Sequence, residues 1–207
     1  MEKDAIIDKY DRIATWFLKR RSRGEPPMER EYLEALTEAL PEGARVLDLG
    51  CGGGEPIAGY CIRRGHPVIG LDGSPRMIAT CRRRFPDMPW IVGDMRAIPL
   101  GERCRVGAVI AWDSFFHLDH AAQRALFAVF AQLLRPGGQL LFTAGPGHGR
   151  VVGTMAGLSF AHYSLSREEY AALLSCHGFT VRLHRVEDPE CGGHTVWLAR
   201  LDDAPKK

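Results

Sequence analysis

Residues 45–56 read Arg-Val-Leu-Asp-Leu-Gly-Cys-Gly-Gly-Gly-Glu-Pro, and this stretch decides the fold. Val46, Leu47 and Leu49 form a short apolar run, as expected of a parallel strand buried on both faces. Gly50, Gly52, Gly53 and Gly54 then make a turn that needs unusual backbone angles and lets a ligand come close. Glu55-Pro56 opens the next element, with proline suited to a helix start. Strand, glycine turn and helix together are the first βα unit of a doubly wound α/β domain.

The charges around the turn constrain its ligand. A dinucleotide site wants G-x-G-x-x-G with a pyrophosphate on the helix N-terminus. Gly50-Cys51-Gly52 satisfies the first half, but the third glycine position falls on Glu55, and Asp48 ends the strand. Two carboxylates repel linked phosphates in a partly dry site and suit a ligand that carries a cation. A nicotinamide oxidoreductase is disfavoured on that ground.

The pattern Asp48-x-Gly50-x-Gly52-x-Gly54 resembles motif I of the class I S-adenosylmethionine-dependent methyltransferases. That cofactor carries an ammonium, a sulfonium and one carboxylate. The resemblance implies that Gly50, Cys51 and Gly52 run along its methionyl part and that Asp48 holds its amino group, often through water. A glycine turn without a ligand is the alternative. The resemblance also implies an α/β, Rossmann-like, doubly wound seven-stranded sheet, mostly parallel, with an antiparallel C-terminal hairpin. It covers residues 44–200, and its wording is closest to small-molecule enzymes of the ubiquinone- and menaquinone-biosynthesis type.

Composition sets wider bounds. A chain of 207 residues with 45% hydrophobic and 25% charged residues is expected to form one globular domain, with a small appendage at most. The net charge of +2 does not mark a nucleic-acid binder, and no nucleic-acid partner is expected. The six cysteines lack C-x-x-C spacing, so neither a metal framework nor a disulfide scaffold is expected. The N-terminus MEKDAIIDKYD lacks the apolar core of a signal peptide, and no run reaches membrane-spanning length. The expected location is the reducing cytoplasm, away from membranes; nothing indicates the oligomeric state.

Three segments are expected: N-terminal helices over 1–43, a methyltransferase domain over 44–201 and a loose tail over 202–207. In the first helix, residues 3–20, Ile6, Tyr10, Ile13, Trp16 and Phe17 share one face, followed by the basic cluster Lys19, Arg20, Arg21 and Arg23 and the breakers Gly24 and Pro26-Pro27. The segment is either a helix on the domain edge with a solvated basic end or a lid. The resemblance implies a lid, with Tyr10 toward the cofactor, Trp16 toward the substrate and an arginine available for a carboxylate. A second helix is expected over 28–40.

Beyond the glycine turn, the spacing predicts a helix over 56–64 and a strand over 66–72. Asp72 ends that strand about 20 residues past the turn, the spacing at which a carboxylate meets a ribose diol. Ser74-Pro75 already supplies cap and first-turn proline to the helix over 75–84, so Asp72 and Gly73 are assigned to the cofactor. A third strand covers 89–92, and the resemblance implies that Asp94, with the backbone of Met95, meets the adenine; a turn aspartate without a ligand is the alternative. The apolar strand over 106–112 ends in Ala111 and Trp112, assigned to the cofactor, and leads into the loop Asp113–Leu118, where open α/β sheets bind ligands.

A helix over 120–134, the turn Arg135-Pro136-Gly137-Gly138 and a strand over 139–143 follow. The glycine-rich segment 144–164 shows no period and is read as an irregular substrate-side loop. A capping box at Ser166–Glu169 opens a helix to Cys176, and strands over 179–186 and 194–201 close the chain as a hairpin.

Methyl transfer is an in-line displacement in which the protein aligns and desolvates. A hydroxyl or thiol acceptor also needs its proton removed, and histidine suits that task. His117 is the first choice for a base; His162 with Tyr163, and His148, are assigned to the substrate. Trp16 and Phe116 are assigned to its pocket, and core packing is the competing reading of Trp16, Trp112 and Phe116. His117-x-x-His120 lacks the Glu of a zinc signature, so no metal is expected. The expected activity is methyl transfer from S-adenosylmethionine to an O, N or S atom of a small molecule. A nucleic-acid enzyme competes but lacks an N-P-P-Y-like motif after the fourth strand, where Trp112-Asp113-Ser114-Phe115 stands. A member that binds cofactor without transferring methyl is the other competitor.

Overall fold

A computed structural model describes residues 3–21, 27–101 and 104–203, with side chains from Ile6 onward in the first helix. Arg23, Gly24, Pro26 and the end of the tail lie outside the described residues.

The chain runs α1 (Lys3–Arg21), α2 (Arg30–Glu38), β1 (Val46–Leu49), α3 (Ile57–Arg63), β2 (Val68–Asp72), α4 (Pro75–Arg84), β3 (Trp90–Val92), β4 (Val106–Ala111), α5 (His120–Leu133), β5 (Leu134–Ala144), β6 (Gly149–Met155), β7 (Leu158–Ser164), α6 (Arg167–Cys176), β8 (Phe179–Asp188) and β9 (His194–Leu201). Seven strands make one sheet in the order β3-β2-β1-β4-β5-β9-β8. β3 to β5 are parallel; β9 pairs antiparallel with both β5 and β8. The expected Rossmann-like fold is therefore present. Its strand order reverses between β1 and β4, which puts a crevice at their carboxyl ends.

Both faces of the sheet are covered, so alternate residues of one strand enter different cores. On β4, Val109 and Ala111 face the α5–α6 side, while Ala108 and Ile110 face the α2–α3 side. This explains the uninterrupted apolar run in the sequence. Phe115 sits at the centre of the first core, its ring against those of Phe127, Phe130, Phe142 and Tyr170. Phe142 and Trp197 are cross-strand partners with stacked rings 6.0 Å apart. Helix ends follow the local rules: Ser74, Asp119 and Ser166 side chains accept from the amides of Met77, Ala122 and Glu169.

Two expectations need correction. Segment 144–164 is not irregular: β6 and β7 form a separate hairpin joined by Ala156-Gly157, both at positive φ (+51° and +77°). Two such residues match the twist of the strands they join, but Ala in first place hides the signal. The Arg135–Gly138 turn does not separate helix from strand. α5 ends at Leu133, β5 starts at Leu134, and the register on β4 jumps from Val106↔Leu134 to Ala108↔Gln139, so these residues bulge out of the strand.

Fully buried Gln123 ties the hairpin down. Its amide nitrogen donates to the carbonyls of Leu118 (2.8 Å) and Tyr163 (2.9 Å), and its oxygen accepts from the Tyr170 hydroxyl (2.6 Å). Removing the central ring should unsettle the loop that β4 delivers to this point. Phe115→Ala is expected to cost about 3–5 kcal/mol, measured by urea unfolding; a loss under about 1 kcal/mol would contradict the packing described.

Candidate active site

The carboxyl ends of β1, β2 and β4 and the lower face of α1 enclose a cavity of about 340 Å³, which reaches on to the β6–β7 hairpin. That volume suits a small ligand. Gly50 and Gly52, at φ +75° and +53°, form its floor. A side chain on Gly50 would collide with Ser114, whose Cβ would lie only 2.3 Å from the added carbon. The Ser114 hydroxyl donates to the Leu49 carbonyl at 2.6 Å, tying the β4 loop to the glycine turn.

Asp72 holds the turn from the other side. One of its oxygens accepts from the Gly52 amide (2.9 Å), the other from the Ser74 amide (2.8 Å). Its carboxylate is thus more committed than the sequence implies, although each oxygen keeps room for a second donor. Burial raises the pKa of Asp72. Asp48 is fully enclosed behind the turn, and one of its oxygens has no hydrogen-bond partner among the described residues. Burial first, and the charge of Asp72 second, push the Asp48 carboxyl up to about 7. Asp94 lines the cavity and is ion-paired with Arg96.

α1 forms the roof. A Cβ on Gly73 would fall 2.5 Å from Ile7, and one on Gly53 only 2.1 Å from Leu18, so the helix seats its side chains where the two turns have none. Asp11 accepts from the Ser74 hydroxyl (2.5 Å) and the Arg76 amide (3.0 Å), and the Lys9 ammonium donates to the Ser159 carbonyl (2.8 Å). Arg21 closes the far end, 2.6 Å from Glu29 and 3.5 Å from Asp113. α2 behaves differently: Tyr32, Leu33 and Leu36 are core residues. Of the two N-terminal helices, α1 alone covers the cavity.

Under the roof, the Tyr10 hydroxyl lies 2.7 Å from His117 Nε2, and His117 Nδ1 lies 3.2 Å from the Ala161 carbonyl. A carbonyl only accepts, so Nδ1 carries the proton and Nε2 accepts from Tyr10. Burial pushes the His117 pKa down to about 4, keeping the ring neutral near pH 7. Burial also raises the Tyr10 pKa, with the negative charges of Asp113 and Asp72 adding to the effect.

Asp113, overlooked in the sequence, lines the cavity at a strained φ of +50°. Burial opposes its charge, but His194 at 2.7 Å and Arg21 outweigh that and hold its carboxyl below the usual range. The same contact raises the His194 pKa.

The structure brings Tyr10, Gly50, Gly52, Asp72, Gly73, Asp94, Met95, His117 and Tyr163 to the cavity. Other expected site residues are placed elsewhere. Asp48 and Cys51 lie behind the turn. Ala111 is enclosed in the first core, and Trp112 packs against Tyr32 and His194. Trp16 carries Arg20 on its ring instead of lining the pocket. Phe116 and His162 pack tilted against each other and edge-on to His117, outside the cavity lining. His148 is exposed, stacked on His120 near Glu169. Arg150 lines the cavity and was missed because its strand was not seen. Among the described residues no group of His, Cys, Asp and Glu could hold a metal ion, and no helix is long and apolar enough to cross a membrane.

Comparison with known proteins matches residues 46–138 to the family described as a methyltransferase domain. Over these residues, just under half of the chain, the sequence is similar to a methyltransferase domain. The chain is 33% identical over 145 residues to a tRNA (carboxymethyluridine(34)-5-O)-methyltransferase of Mus musculus, a match covering 68% of this chain and 20% of that one. It is 31% identical over 146 residues to a malonyl-[acyl-carrier protein] O-methyltransferase of Enterobacter lignolyticus, covering 69% and 54%. The chain thus spans about a fifth and about half of these curated relatives. A 1,6-didemethyltoxoflavin-N1-methyltransferase of Burkholderia thailandensis, solved with S-adenosylhomocysteine, shares the fold at a TM-score of 0.72 and 21% identity, covering 98% of this chain and 90% of that one.

The cavity fits the cofactor of S-adenosylmethionine-dependent methyltransferases. Its floor admits no side chain at Gly50, and Asp48, behind the turn and outside the lining, keeps a buried oxygen without a donor among the described residues. An ammonium nearby would favour ionised Asp48, so binding should expel its proton. Affinity for S-adenosylhomocysteine is expected to rise as pH climbs through about 7 and level off above it, and to lose this slope in Asp48→Asn. Calorimetry in buffers of different ionisation enthalpy measures this; a flat profile in the wild type would contradict it.

Proposed function

We propose that this chain binds S-adenosylmethionine in the cavity beneath α1 and transfers its methyl group to a small-molecule acceptor through an O, N or S nucleophile. The observation that supports this reading best is the polarity of the groups in and behind the cavity. Desolvated carboxylates, Asp48 and Asp72, stand at the glycine turn, and the neutral Tyr10–His117 pair stands under the roof. When bound, the cofactor supplies a methyl group already activated on a sulfonium, open to in-line attack.

The protein's own part is alignment and exclusion of water. In this reading Asp48 answers the ammonium, Asp72 accepts from the ribose hydroxyls, and Asp94 with Met95 meets the adenine. α1 holds solvent out. Tyr10 directs its oxygen at the acceptor, because His117 Nε2 takes the hydroxyl proton and the Ala161 carbonyl fixes the ring. As the acceptor becomes acidic during transfer, its proton passes by way of Tyr10 to His117. A pKa near 4 makes that imidazole a weak base, so positioning outweighs basicity.

The small-molecule class is supported by the size of the cavity beneath α1, about 340 Å³. Quinone-like aromatic acceptors of the ubiquinone- and menaquinone-pathway type fall within it. A reducing compartment belongs to the same reading, since all six cysteines are free thiols.

The test incubates the purified chain with methyl-labelled S-adenosylmethionine and an ultrafiltered, nuclease-treated metabolite extract. A labelled small molecule is expected, and label appearing only when RNA is added would contradict the reading. Tyr10→Phe is expected to lower kcat for that product by about 10²-fold with little change in cofactor affinity; an unchanged kcat would remove the pair from the chemistry.

A further inference from the structure

The cavity lining carries cations as well as carboxylates, and the function proposed above leaves Lys9 and Arg150 without a role. The β6–β7 hairpin borders the cavity at its mouth, where Arg150 and Val152 stay exposed to solvent. In its register Arg150 sits opposite Tyr163, and Val152 opposite Ala161. All four line the cavity, and Lys9 faces them from α1.

The charges here are unevenly answered. Arg96, the other cation of the lining, is paired with Asp94. Asp113 is answered by His194 and Arg21, and Asp119 caps α5 through the Ala122 amide at 2.8 Å. Lys9 meets only neutral groups among the described residues: the Ser159 carbonyl and, at 5.9 Å, the Phe160 ring. Arg150 likewise meets only Tyr163. Its Nε lies 3.2 Å from the phenol oxygen, and its guanidinium carbon stands 5.6 Å from the ring centre. That contact orients the guanidinium and leaves its two terminal nitrogens as a fork. A planar two-oxygen anion satisfies such a fork. Between the two cations Val152, Ala161 and Leu118 offer an apolar floor.

We infer that the acceptor is a small molecule with an apolar body and a carboxylate, and that Arg150, assisted by Lys9, selects it by that carboxylate. This rests on the transferase function proposed above. A single fork and a single ammonium fit a carboxylate better than a phosphate dianion, which calls for more donors. The anion also complements the positive charge that the cofactor brings to the same cavity.

The experiment passes the metabolite extract through an anion-exchange resin and assays flow-through and salt eluate separately with labelled S-adenosylmethionine. Labelling is expected in the eluate and to survive phosphatase treatment of it. With that eluate Arg150→Gln should raise the KM for the acceptor about ten- to hundredfold, the loss of one charge-assisted contact. Arg150→Lys should fall between, and both variants should bind S-adenosylhomocysteine as the wild type does. Labelling confined to the flow-through, labelling abolished by phosphatase, or an unchanged KM in Arg150→Gln would overturn the carboxylate assignment. A chain that labels nothing in the whole extract would overturn the transferase function and this inference with it.

Discussion

Two desolvated carboxylates at the ends of adjacent parallel strands are the constraint on which the rest of this structure turns. Asp48 and Asp72 lie close enough for the charge of one to raise the pKa of the other, and burial raises both. Such a pair is unfavourable unless something positive or hydrogen-bond-donating answers it. The Gly52 and Ser74 amides answer Asp72 in part. Nothing among the described residues answers the second oxygen of Asp48. An aminoacyl nucleoside with a cationic end and a ribose diol meets both needs; a pyrophosphate meets neither.

The roof follows from the same floor. A turn built of glycines exposes backbone, and α1 covers it by seating Ile7 and Leu18 over Gly73 and Gly53. Once seated, the helix brings Tyr10 to His117, and His117 in turn leans on the Ala161 carbonyl of the hairpin. Glycine turns, α1 and hairpin are thus linked through Ile7, Leu18, Tyr10 and His117, so the hairpin end of the cavity is shaped by the element that covers the glycine end. Gln123 anchors the hairpin to α5 and α6, which keeps that far end from drifting.

The fold was legible because the parallel strands announce themselves: β1 and β4 are apolar without interruption, and each is followed by residues that only make sense at a crevice. Most residues assigned to the cofactor were legible as cavity residues for the same reason: Gly50, Gly52, Asp72 and Asp94 follow or end strands and line the cavity. Ala111 ends a strand and Trp112 follows it, yet both point into the cores, a distinction that depends on pleat and twist and is absent from spacing alone. The hairpin was hidden by Val151-Val152, which blurs the alternation, and by Ala156 where a glycine or asparagine is usual. With the hairpin went Arg150. Asp113 was passed over because its partners, His194 and Arg21, are far away in sequence.

The most direct measurement is equilibrium binding of S-adenosylmethionine and of NAD to the purified chain, by calorimetry under one set of conditions. The account predicts saturable, one-to-one binding of the sulfonium nucleoside and no heat from the dinucleotide. Binding of NAD with S-adenosylmethionine ignored would contradict it, because the acidic floor would then be holding phosphates.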